Sequence, residues 1–383
     1  MDDSLRSLVI QQGSSLSAFI RQMRTSLVDL RNLVDSSIDQ NTSAANDILA
    51  QIQEINRKIA LSDGATGGAN ALRDQRDVLL GELATYFDFS VVEQDTGAVD
   101  VYVNSLPIVL GGDARGLAVR RTLVDGQTKI ELTIKADGSV LTPKSGILGS
   151  MVDSREVDLV EAINALDDFA GQLIYQVNRV HSQGQGIMGF TSLTGTYGVT
   201  DVNARLADAA ATGLKYPPKH GSFELHVTQQ STGLREVHVI QLDLDGINPA
   251  SDTTLTDLVN QINSVANVNA SLTADGRIKL NTANGDFHLS FGNDSSGVLA
   301  GLGLNTFFTG TDSLNVEVNP VVKGNPSLLA VGQGHVSGDN RNALAIAGLR
   351  DATLSDLGGL TLMESWNRHV EQYAIRQGQT LQE

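Results

Sequence analysis

The chain has 383 residues, enough for several domains, and 41% hydrophobic content gives each of them a core. Its 44 acidic against 27 basic residues leave a formal charge of −17, which repels phosphate backbones and anionic bilayers, so neither nucleic acid nor a membrane is an expected partner. The absence of cysteine excludes disulfides, thiolate metal sites and cysteine nucleophiles, and no stretch approaches the roughly 18–20 continuous apolar residues of a membrane span.

In chain order, Leu5, Leu8 and Val9 lie at helical spacing. Gly13 with Ser14 and Ser15 then offers either a break with a fresh N-cap or a continuous passage into the next helix. Ser14 to Leu61 contains neither Gly nor Pro. Its apolar residues Leu16, Ile20, Met23, Leu27, Leu30, Val34, Ile38, Ala45, Ile48, Ile52, Ile55 and Ile59 alternate steps of four and three. That 3.5-residue period predicts a single rod-like helix, roughly 70 Å long at 1.5 Å per residue, whose seam needs a partner. Asn41 interrupts the seam, and either fixes register or marks a bend or short break.

Ser62 to Gly68 reads as a turn. Ala69 to Phe87 reads as a second helix with Leu72, Leu79, Leu80, Leu83 and Phe87 inside and Arg73, Asp74, Arg76, Asp77 and Glu82 outside. From Phe89 to Val140 the period becomes two: Val99, Val101 and Val103 alternate with polar neighbours, as do Ile130, Leu132 and Ile134. Turn signals at Asp95-Thr96-Gly97, Gly111-Gly112-Asp113, Asp125-Gly126 and Asp137-Gly138 make this an antiparallel meander, and none of them matches an EF-hand loop. Pro143 ends the strands. Gly146 to Gln183 is helical again, with Leu148, Val152, Leu159, Ile163, Leu166, Ala170, Leu173, Val177 and Val180 as the natural partner of the first seam.

Four motifs then stand out in order: Asn70-Ala71-Leu72-Arg73-Asp74-Gln75-Arg76-Asp77; Gly146-Ile147-Leu148-Gly149 with Arg155; Val177-Asn178-Arg179-Val180-His181 with Gly184; and Gly338-Asp339-Asn340-Arg341-Asn342-Ala343-Leu344-Ala345-Ile346-Ala347. They resemble the flagellar hook-associated protein 1 family, the hook–filament junction proteins. The resemblance implies an α+β fold: a rod of long antiparallel helices with a β-meander, plus an inserted β-rich outer domain. On that plan residues 1–185 are the rod with its meander at about 89–140, residues 186–334 the insert, and 335–383 the return helices. It also implies a structural subunit of the extracellular flagellum, exported without a cleaved signal peptide. Its partners would be copies of itself, packed side by side through the helices, and neighbouring hook and junction proteins. Flagellin and the second junction protein share the helical plan. A surface adhesin or glycan-binding module carried by the β insert is the alternative from another class.

Within the insert, strands are expected at Phe223 to Thr228, Arg235 to Leu244, Val268 to Thr273, Arg277 to Asn281 and Phe287 to Phe291, with a covering helix from Thr254 to Val265. Asp294 to Gly310, with Leu299, Leu302, Leu304, Phe307 and Phe308, resembles a segment common in the family's outer domain. Helices at Asp339 to Leu349 and Leu362 to Gln377 close the chain, the latter with Leu362, Trp366, Val370 and Ile375 inward. Leu5, Leu8 or Leu16 is expected near Trp366 or Val370, with both termini leaving from the same end. The family's apolar terminal segments are missing before Met1 and after Glu383, so a core fragment that is monomeric in solution is expected.

No catalytic, cofactor-binding or metal-binding residues are assigned, no cofactor is expected, and the chain is not expected to be an enzyme. Gly-x-Ser-x-Gly, Walker, His-Glu-x-x-His and dinucleotide motifs are all absent from the sequence. His220, His226, His238, His288 and His335 fall in or beside the insert. A hairpin centred on Ser231-Thr232-Gly233 would set His226 opposite His238, a pair that lacks the third ligand of a metal site. The pairs Asp153 with Glu156 and Asp167 with Asp168 read as solvated helix faces.

Overall fold

The unbroken apolar repeat folds as one helix, α1 (Asp3–Ser62). Gly13 and Asn41 both lie inside it: Ser14 Oγ donates to Ile10 O at 2.9 Å rather than capping a new helix, and Asn41 Nδ2 donates to Ser37 O at 2.8 Å. The computed structural model describes residues 3–62, 68–124, 126–248, 251–334, 336 and 338–380, so the turn expected around residues 63–67, Asp125 and His335 lie outside them. These residues form two compact units, one of Thr25–Asn164 and one that takes in the chain up to Arg24 and from Ala165 onward.

In the Thr25–Asn164 unit, α2 (Gly68–Leu83) precedes β1 (Ser90–Glu93), β2 (Val99–Val103), β3 (Leu106–Leu110) and β4 (Asp113–Ala114), which pair in that order. A second antiparallel sheet holds β5 (Leu117–Val124), β6 (Gln127–Ile134) and β7 (Val140–Leu141). The chain continues into α3 (Gly146–Asp153), a π-helical turn at Ser154–Asp158, and α4 (Leu159–His181). Ile38, Ala45, Ile48, Leu49 and Ile52 of α1 share one core with Val99, Val101, Val103, Ile108 and Leu148. The seam was expected to lie against a second long helix; in this unit its partner is mainly the meander. Heptad spacing asks only for a continuous apolar surface, and branched strand residues supply one as well as a helix does. Leu30, expected on the seam, is 46% exposed.

Arg76, expected on the outer face of α2, is buried. Its Nη1 donates to Gly97 O at 2.7 Å beside Asn56 Oδ1 at 3.4 Å, and Asn56 itself bridges the backbone N–H and C=O of Val99 at 3.0 Å each. Backbone groups left over at the start of β2 need partners, and long polar side chains from the helices reach in to supply them.

The other unit contains β8 (Ser192–Thr194), α5 (Ala209–Thr212), β9 (Gly221–Gln229), β10 (Arg235–Leu242), α6 (Leu255–Asn263), β11 (Val268–Leu272), β12 (Ile278–Thr282) and β13 (Phe287–Gly292). After these come α7 (Val298–Leu302), β14 (Phe308–Thr309), β15 (Glu317–Val318), α8 (Pro320–Gly324), α9 (Arg341–Gly348) and α10 (Leu362–Thr380). The sheets run β10-β9-β13 and β11-β12-β8, and α6 covers a core that includes Phe223, Phe291, Leu258 and Ile262. Thr254 starts α6 with a reciprocal capping box to Asp257.

The hairpin register differs from the expected one. His226 stands opposite Val237, and His238 opposite Leu225. Gln229 N donates to Leu234 O and Gly233 takes a left-handed φ of 70°, so four residues form the loop and its centre lies half a residue earlier than assumed. With a side-chain period of two, that single step puts the two histidines on opposite faces.

The inward face proposed for α10 is also corrected. Trp366 packs on Phe169 of α4 with ring centroids 5.3 Å apart, while Leu5, Leu8, Leu16, Val370 and Ile375 are exposed. Trp366 anchors α10 with Leu362 half-buried near it, while Val370 and Ile375 of the expected face stay exposed among the described residues.

Gly13 shows why α1 carries a poor helix former. A Cβ there would lie 2.7 Å from Phe307 Cζ and 3.0 Å from Val318 Cγ2. Gly13→Ala gains up to ~1 kcal/mol of helix propensity but overpacks a well-filled contact, an effect of about 1–3 kcal/mol. The expected outcome is a net loss of stability of about 1 kcal/mol in urea titrations, and a more stable variant would contradict the contact.

Candidate functional site

Where α4 ends, its last turns face the chain that returns from the β-rich region. Asn178 is buried, and its amide clamps a strand start: Nδ2 donates to Phe308 O at 2.9 Å, while Oδ1 accepts from the N–H groups of Phe307 at 3.0 Å and Phe308 at 2.8 Å. One turn later His181 is fully buried; its Nδ1–H donates to Asn305 O at 2.8 Å and its Nε2 accepts from Ala330 N–H at 3.0 Å. Those bonds require the neutral ring, and burial lowers its pKa to about 4 despite the Asn305 carbonyl.

Asn305, itself at a left-handed φ of 50°, donates back to Ser182 O at 3.1 Å and Gly184 O at 2.9 Å. Asn342, from the start of α9, donates to Ala330 O at 2.8 Å, and a Cβ on Gly184 would sit 2.1 Å from its Nδ2. Arg6 of α1 closes the group by donating to Leu329 O at 2.6 Å. Two sequence motifs, Val177–His181 with Gly184 and Gly338–Ala347, therefore meet in one buried lock. Within the second motif Asp339 accepts from Gln333 N, Gly334 N and the Arg341 guanidinium, the Arg341 pair first among the causes that hold its carboxyl far below the usual range.

A second polar cluster lies in the Thr25–Asn164 unit at the π-helical turn. Arg155 is the largest fully buried side chain. It donates to Asp35 Oδ1 at 2.7 Å, to Thr128 O at 2.6 Å and to Glu156, whose Oε1 in turn accepts from Ile130 N–H at 2.9 Å. Arg155 and Asp158, three residues apart in the π turn, are both buried. Glu156 and Asp167, read from sequence as solvated, are both engaged. Asp167 pairs with Arg24 and accepts from Ser313. Asp153 and Asp168 are exposed.

The histidines of the β-rich region do not converge. His226 is buried and bonded through Nε2 to Glu224 at 2.9 Å, and His238 lies 3.4 Å from Glu236. Among the described residues His220 is the one that meets two carboxylates at once: its ligand atoms and those of Asp243 and Asp245 fall within 4.8 Å of one another, all three residues exposed. Such a set could hold a divalent cation by its donor types. Cross-strand register, which ends on the Leu242–Gly221 pair and so brings Asp243 and His220 next to each other, was the signal that could have found it.

A chain of long helices and antiparallel sheets, whose buried polar side chains hold its own backbone, has the makeup of a structural scaffold protein. The profile described as the flagellar hook-associated protein FlgK helical domain matches residues 1–196, and the chain belongs to that family. Flagellar hook-associated protein 1 of Salmonella typhimurium is 28% identical over 194 residues, covering 48% of this chain and 34% of that one. The Bacillus subtilis protein of the same name is 22% identical over 210 residues, covering 48% and 41%. The match thus spans well under half the length of these relatives. The structure of the flagellar hook junction protein FlgK from Burkholderia pseudomallei is 16% identical with a TM-score of 0.44, covering 80% of this chain and 57% of that one, a likeness too loose to argue from.

Proposed function

We propose that the chain is a structural subunit of the extracellular bacterial flagellum, placed between hook and filament and packed side by side on its own copies through the long helices. The observation that carries this reading is family membership over residues 1–196, which include most of the helical framework. Leu5, Leu8, Val9, Leu16 and Phe19 of α1 support the mode of packing, since they remain exposed at steps compatible with a neighbouring helix. Its side chains build locks rather than turnover: Asn178, His181, Asn305 and Asn342 are engaged with backbone groups, and the subunit is read as non-catalytic.

Residues 186–334 are proposed as the outward domain, supported by a core that draws all its members from Phe190 to Leu328. No helix among the described residues is long and apolar enough to cross a membrane. Antibody raised against this chain should label purified flagella by immunogold at one position, between hook and filament; label along the filament or on the cell body would refute the placement. Free in solution at micromolar concentration the chain should sediment as a monomer, because like-signed acidic copies must overcome several kcal/mol of association entropy without their neighbours in the flagellum. A stable ring or dimer at that concentration would contradict this.

A further inference from the structure

One cavity in the unit that takes in the chain from Ala165 onward meets the locks described above only at Asn178. It encloses about 230 Å³ between α4, the loop after α5 and the segment around Gly310. That is below the roughly 300–1,000 Å³ of pockets that take drug-sized ligands, so the room suits a single ring. Tyr175 of α4 and Tyr216 stack face to face with centroids 4.1 Å apart, which makes a stiff aromatic wall. Tyr197 is fixed by donation from its hydroxyl to Gly310 O at 2.7 Å, and Lys215 by donation from Nζ to Thr311 O at 2.8 Å. Glycines at 198, 213, 301 and 310 line the space without filling it.

The lining decides the chemistry of the occupant. Leu214, Ile174 and Ala300 provide apolar patches, but phenol and threonine hydroxyls and one ammonium make up most of the rest. The phenols stay protonated: burial raises Tyr197 to about 12, and burial first, then Asp168 among nearby charges, raises Tyr216 as well. The Tyr197, Thr196 and Thr311 hydroxyls already donate within the chain, to Gly310 O, Gly303 O and Asp312, and so offer lone pairs; beside the aromatic rings these match a ring that carries hydroxyl donors on its edge and C–H groups on its faces. An anion is a poorer match, because Lys215 is the one cation among the lining residues and, with Arg179 whose field reaches Tyr175, is set against three carboxylates, Asp168, Asp356 and Asp294, whose fields reach Tyr216 or Tyr175.

We infer that this cavity is a binding site for one neutral pyranose ring, such as the end of a glycan chain. The inference rests on the lining alone and is independent of the placement in the flagellum. The full chain should be tested with the methyl pyranosides of glucose, galactose and N-acetylglucosamine by saturation-transfer NMR, and the best binder by calorimetry. At least one should bind at millimolar concentration or below. Lys215→Ala and Tyr216→Phe should each weaken it about three- to tenfold, the worth of one hydrogen bond, with unchanged melting. Thr311→Trp, which adds a large side chain to the lining, should abolish it. No binding by any pyranoside, binding unaltered in Thr311→Trp, or displacement of the sugar by inorganic phosphate would each overturn the assignment.

Discussion

Arg155→Ala should destabilise the Thr25–Asn164 unit by about 3 kcal/mol, the low end of the ~3–5 kcal/mol seen when one partner of a buried ion pair is removed. The low end is expected because Arg155 is 2% exposed while Asp35 and Glu156 keep about a fifth of their surface in water, at 21% and 19%. Loss of the guanidinium leaves both carboxylates facing a closed space and takes one of two donors from Thr128 O, the other being Arg31 Nη2 at 2.8 Å. Volume is not the main term. Arg155→Met, which restores most of the bulk, should lose nearly as much, and Arg155→Met combined with Asp35→Leu should recover a large part of it. Urea unfolding of the three variants separates charge from packing. A loss under about 1 kcal/mol for Arg155→Ala would show that the cluster relaxes into water and that the π-helical turn is held by something else.

The long elements were legible because their patterns repeat. From Leu16 to Ile59 α1 carries one period, and the sequences of strands such as β2 and β6 alternate, so the long helix and the antiparallel strands followed from local chemistry, while the α+β plan came with the family resemblance. What escaped was set by single residues whose effect is non-local. Arg76 looks like a solvated cation in one dimension, yet it is drawn inward by a backbone carbonyl brought by another element, as is Arg155, whose burial the motif alone did not state. The His226–His238 pairing failed on one loop residue, since nothing in Ser231-Thr232-Gly233 itself states that Gln229 pairs with Leu234. Short elements such as α5, β14 and β15 have too few residues for any period to register. The lock at His181 was half visible: its residues were singled out as motifs, but their meeting depends on more than a hundred residues of intervening chain.

That lock makes the fold sensitive to acid. His181 has a folded pKa of about 4 against an ordinary 6.5, because protonation would both charge a buried ring and turn Nε2 from acceptor to donor against Ala330 N–H. Above pH 6.5 neither folded nor unfolded chain protonates this ring, and its full contribution is present. Between pH 6.5 and about 4 the unfolded chain binds a proton that the folded chain does not, so stability falls as pH falls. Below about 4 both forms are protonated and the loss levels off, at about 3 kcal/mol for a shift of this size. His181→Gln keeps an acceptor near Ala330 N–H but cannot titrate. It should be less stable than the parent at pH 7 by about 1–3 kcal/mol, since Asn305 O loses its donor. The difference between parent and variant should then shrink on going from pH 7 to pH 4, while the carboxylates common to both cancel. Urea titrations across that interval give the answer directly, and a constant difference would mean that His181 titrates alike in the folded and unfolded chains and that its two hydrogen bonds are not those described.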